Sequence, residues 1–118
     1  MNPDIRQANH ALKEIIAGLS ALGIYEKRDI GDEYCELVLY NNETDRWVEI
    51  ITDTLGDAVK PPKTKANEEH IRLTEEYGGV YVDQTLFKKE FGCDIVIAML
   101  WPWGDRTHTT IKIALLRK

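Results

Sequence analysis

The sequence predicts an α+β fold: an N-terminal helix, one strand, two further helices, then a C-terminal antiparallel meander with the helices packed on one face. Three observations carry this. Apolar residues recur every three or four positions at the start of the chain. They alternate with polar ones over Tyr34–Tyr40, and they crowd into strand-length runs in the C-terminal third. These are the periods of an amphipathic helix and of strands, respectively.

Ile5, Ala8, Leu12, Ile15, Ile16, Leu19 and Leu22 fall on one side of a helix that advances about 100° per residue. Asn2 suits the N-cap, Pro3 the first helical position, and Asp4 the positive end of the helix dipole, while Gly23 is a stop. Gly18 inside this helix costs about 1 kcal/mol relative to Ala, which points to a close packing contact there. Residues 26–33 are polar and read as a connector.

In the strand that follows, Cys35, Leu37 and Leu39 point one way and Tyr34, Glu36, Val38 and Tyr40 the other. Residues 41–45 supply cap candidates, and Trp47, Ile50, Ile51, Thr54 and Leu55 continue with helical spacing until Gly56. Residues 60–65, with Pro61 and Pro62, form a stiff, basic, extended connector, because proline holds its predecessor out of the helical region. Thr64 is expected to cap a third helix running to about Tyr77, with Ala66, His70, Leu73 and Tyr77 inward and Gly78-Gly79 ending it.

Val80 to Val82 is expected to open the sheet. Leu86 to Phe91 reads as a strand, with a short helix over residues 84–91, capped by Asp83 and stopped by Gly92, as the alternative. Residues 95–101 and 107–116 form a hairpin around Pro102-Trp103-Gly104-Asp105-Arg106. The expected register sets Met99 opposite Thr109, Ile97 opposite Ile111 and Ile95 opposite Ile113, with the odd positions of both strands forming the helix-covered core. Val96, Ala98 and Leu100 would then line the opposite, uncovered face.

The composition limits the function classes. The chain has 118 residues, 43% hydrophobic and 30% charged, enough for one self-sufficient domain over residues 1–118. Residues 1–60 carry 6 basic and 12 acidic groups, a balance that opposes binding to phosphate backbones, so no nucleic-acid partner is expected. The longest apolar run, residues 95–103, is well short of the ~20 a membrane helix needs. The start, Met1-Asn2-Pro3-Asp4, has no basic region followed by an apolar stretch. Cys35 and Cys93 read as buried, reduced thiols of a cytoplasmic protein, although a sheet can still bring the two together.

No motif assigns a catalytic residue, a cofactor or a metal ligand. His10 and Glu14 share the solvated face of the first helix, and His70 belongs either to the core or to a pocket lining. No His-x-x-x-His or Cys-x-x-Cys spacing occurs, which argues against structural zinc. The richest segment is the hairpin tip, where Trp103, Asp105, Arg106 and His108 are the candidate binding residues. Trp and Arg are the types most enriched in interaction hot spots. Trp101, in phase with Ile97 and Met99, is instead expected in the core.

The expected function is that of a soluble, non-enzymatic interaction domain. Its partner is another protein, or a second copy of the chain docked on the Val96, Ala98 and Leu100 face. The alternative is a small-molecule-binding or enzymatic domain with a pocket between sheet and helices.

Overall fold

The computed structural model describes residues 3–31 and 33–117. Asn2, the expected N-cap, lies outside them. The elements are α1 (Pro3–Ser20), β1 (Ile24–Ile30), β2 (Tyr34–Tyr40), α2 (Thr44–Leu55), α3 (Glu68–Thr74), β3 (Thr85–Phe91), β4 (Asp94–Pro102) and β5 (His108–Arg117). Single 3₁₀ turns precede α2 and follow α3. The fold is α+β, and all strand pairings are antiparallel in the order β1-β2-β5-β4-β3. A hairpin (β1–β2) and a meander (β3–β4–β5) are therefore joined through β2 and β5, which departs from a simple C-terminal meander.

β1 is the strand that the polar reading of residues 26–33 missed. Glu26, Lys27, Arg28 and Asp29 are all exposed, so the middle of this edge strand has no buried face to impose an apolar alternation. Two register shifts against β2 break its ladder. A short, charged, irregular edge resists pairing with other chains. Val80 to Val82, expected to open the sheet, is instead a turn in which Val80 is buried and Tyr81 and Val82 are exposed.

The hairpin register also differs from expectation. Ile97 pairs with Ala114, Ala98 with Ile113 and Leu100 with Ile111, three residues along β5 from the expected partners. An odd shift exchanges faces, because successive side chains point to opposite sides. The cause is the loop. Arg106 takes the left-handed conformation (φ 64°), and Arg106 N–H donates to Trp103 O at 3.2 Å. Trp103 N–H donates to His108 O at 2.9 Å, so the ladder closes on that pair rather than further down the strands.

In consequence Val96, Ala98 and Leu100 join Ile111, Ile113 and Leu115 beneath α1 and α2. The strip expected to receive a second copy of the chain is the floor of the main core, with Val96 and Ala98 fully buried. Ile95, Ile97 and Met99 lie on the reverse face with Leu86, Ala114 and Val80, under Ala66, Leu73 and Tyr77 of the α3 region. Helical segments thus cover both faces, not one.

α1 meets α2 where Gly18 lies against Ile50; a Cβ on the glycine would sit 3.1 Å from Ile50 Cγ2. That is the close contact its presence in the helix implied. α3 starts later than expected, because Asn67 rather than Thr64 is its cap. His70 N–H donates to Asn67 Oδ1 at 2.8 Å and Asn67 N–H donates to His70 Nδ1 at 3.2 Å. His70 is therefore half of a reciprocal capping box. Thr64 Oγ1 instead closes a local turn by donating to Pro61 O at 2.7 Å.

The connector also seals part of the β3 edge, where Lys60 bridges to Leu86. Lys60 is buried, and its Nζ donates to the carbonyls of Pro61, Val82 and Gln84 at 3.2, 3.2 and 2.6 Å. An ammonium satisfied by three carbonyls can stay inside where an unpaired one could not. Burial nevertheless pushes its pKa down. Among the described residues, no helix is long and apolar enough to cross a membrane.

Candidate functional site

The hairpin tip is built from a turn that its own carboxylate closes. Asp105 Oδ1 accepts the backbone N–H of Thr107 at 2.9 Å and of His108 at 3.2 Å. Its Oδ2 lies 2.7 Å from His108 Nδ1, and Thr107 Oγ1 lies 2.9 Å from the same nitrogen. The backbone N–H of Thr107, followed by the imidazole of His108, holds the Asp105 carboxyl down at about 2. An ionised carboxylate only accepts, so His108 Nδ1–H is the donor to Asp105.

Around this pair, rings converge from three strands and the tip loop. Tyr40 of β2 pairs in register with His108 of β5, with ring centroids 5.3 Å apart. Tyr25 of β1 lies 4.2 Å from the His108 ring and 5.7 Å from the Tyr40 ring. Trp103 stands 5.0 Å from His108, 6.0 Å from Tyr25, and is pinned by Nε1–H donating to Thr110 Oγ1 at 2.8 Å. The guanidinium of Arg28 sits 5.4 Å from the Trp103 ring centroid. Arg28 is itself held by Glu26 at 2.7 Å and Glu36 at 3.4 Å.

Of the four residues read from the sequence, Trp103, Asp105 and His108 come together. Arg106 does not: it is exposed at the turn and, among the described residues, makes no ion pair or ring contact. The guanidinium over the Trp103 indole is that of Arg28, from β1. Tyr25, Tyr40 and Arg28 were missed because two of them lie on β1, which shows no strand periodicity. Tyr40 could have been found, since it sits at the end of the alternating run.

A second concavity lies between α2 and the adjoining ends of β3, β4 and β5. It encloses about 560 Å³, with Trp47, Phe87 and Leu100 at its base and Asp57 and Asp83 at its margin. Neither His70 nor His108 lines it. Among the described residues, no group of three or more His, Cys, Asp or Glu gathers in a way that could hold a metal ion.

Cys35 and Cys93 are both free. Cys35 is buried as expected, but Cys93 is exposed at the β3–β4 turn, where the chain reverses between two strands. Comparison of the chain with protein-family models, with curated proteins and with solved structures finds no match.

Proposed function

We propose that this chain is a protein-interaction domain without catalysis of its own, and that its contact surface is the ring cluster of Tyr25, Tyr40, Trp103 and His108 with Arg28. The observation that carries the reading is that four rings and a guanidinium converge at an open end of the sheet. Tyr25 and Tyr40 keep 50% and 40% of their surface exposed there. Rings already held by neighbours lose little conformational entropy on docking, which is why aromatic and Arg side chains dominate binding energy at interfaces. The Asp105–His108 pair braces the turn beneath them.

A photo-crosslinking residue at position 25, compared with one at Glu49 on the exposed side of α2, tests this. Discrete adducts from position 25 alone, lost when Trp103→Ala is added, are expected. An adduct of twice the chain mass would identify a second copy as the partner, and a different discrete mass another protein. Identical patterns from both positions, or none from position 25, would overturn the reading.

A further inference from the structure

We infer that the cleft between α2 and the sheet is a binding site for a small apolar molecule carrying one ammonium group. Its volume of about 560 Å³ lies within the range of small-molecule sites, roughly 300–1,000 Å³. Its base is apolar: Trp47, Phe87 and Leu100 belong to the main core yet also line this void. Thr85 is 8% exposed and faces the cleft from the same side of β3 as Phe87. Its hydroxyl has no hydrogen-bond partner among the described residues, whereas those of Thr44 and Thr109 are engaged with Asn41. That hydroxyl opens onto the void, where it is free to hydrogen-bond an occupant.

The charge of the occupant follows from the margin. Asp57 and Asp83 both line the cleft, no Lys, Arg or His does, and neither carboxylate enters an ion pair among the described residues. Lys60, which feels the charge of Asp83, has its ammonium tied to three backbone carbonyls and does not line the void. Asp57 is therefore the freer of the two. An apolar base with carboxylates only at its rim complements an aromatic or branched aliphatic body ending in an ammonium, and repels the isosteric acid. Nothing in the ring cluster at the hairpin tip contributes to this site, so the two readings stand or fall separately.

The experiment is a titration of the isotope-labelled full chain with 2-phenylethylamine, 2-phenylethanol and 3-phenylpropionate, followed by amide NMR. Saturable shifts confined to Val48, Ala58, Thr85, Phe87 and their neighbours are expected with the amine. The amine should bind about tenfold more tightly than the alcohol, and the acid more weakly still. Asp57→Asn should remove most of that advantage and Asp83→Asn a smaller part, both substitutions being on exposed residues that leave the fold intact. Ala58→Trp, which fills the cleft, should abolish the shifts. Equal affinity for the three probes, shifts centred elsewhere, or no saturation by about 10 mM would overturn the inference.

Discussion

Lys112 Nζ lies 3.4 Å from the centroid of the Trp101 ring and donates to Tyr77 O at 2.8 Å. One side chain thereby joins β5, β4 and the turn that ends the α3 segment. Burial lowers the Lys112 pKa, a cost that the ring and the carbonyl offset. Trp101 is only half-buried, since it closes the edge of this layer instead of entering the main core.

The same arrangement leaves no room for a side chain at Gly78 unless the Trp101 indole moves. This glycine has φ 97°, and a Cβ there would lie 2.5 Å from Trp101 Cη2. Gly56 also has a positive φ (84°) but faces open space. In urea melts Gly56→Ala should cost about 1–3 kcal/mol from backbone strain alone, because φ 84° with ψ −172° is a conformation that essentially only glycine adopts. Gly78→Ala should cost about 2–3 kcal/mol, since the indole must also move. A Gly78→Ala cost left unchanged when Trp101→Ala is also present would show that the indole does not confine this position.

Thiol labelling should separate the two cysteines. Cys35 is fully buried, and burial, reinforced by Asp29, pushes its thiol up to about 11. Near pH 8 the folded chain should release one equivalent rapidly from an aromatic disulfide reagent, through Cys93, and a second only after denaturation. Two fast thiols would mean that the β2 region opens readily; none in the denatured chain would reveal a disulfide.

The tip turn should loosen in acid. The folded Asp105 carboxyl titrates at about 2, below its ordinary 3.8. A depressed carboxylate pKa contributes stability that is complete above the unfolded value and lost as pH falls through the folded one. The side-chain ¹³C resonance of Asp105 should accordingly titrate near 2, with the Thr107 and His108 amides shifting in step. His108→Ala should raise that midpoint. An ordinary midpoint in the parent chain would show that the carboxylate does not close the turn in solution.

Val96 lies fully buried beneath the helices, so Val96→Lys must place an ammonium in the main core. The expected cost is on the order of 4 kcal/mol or more, against about 2 kcal/mol for Val96→Ala. Circular dichroism and denaturant melts distinguish the two. A Val96→Lys chain as stable as the parent would mean that this face of β4 is open to water.

The local elements were legible in the sequence because their signals are local. The stripe from Ala8 to Leu19 forms α1, the Trp47–Ile51–Leu55 stripe forms the buried face of α2, and the Cys35–Leu37–Leu39 alternation forms the buried side of β2. Gly18 announced the helix contact that Ile50 makes. Periodicity, caps and breakers act within one or two turns of chain, and no distant partner is needed to read them.

The tertiary structure decided what those signals leave degenerate. Both faces of β4 are apolar, so its sequence fits either face; the loop closure at Trp103 and His108 set the register and sent Val96, Ala98 and Leu100 under α1 and α2. β1 is recognisable only by its pairing with β2, because its run from Tyr25 to Asp29 is exposed throughout and carries no alternation. The ring cluster depends on both outcomes. Tyr25 and Tyr40 reach Trp103 and His108 only after β2 pairs with β5, a contact between residues nearly seventy positions apart. Sequence patterns report the solvent each side chain prefers; which distant residue becomes its neighbour is settled when the sheet assembles and the helices choose a face.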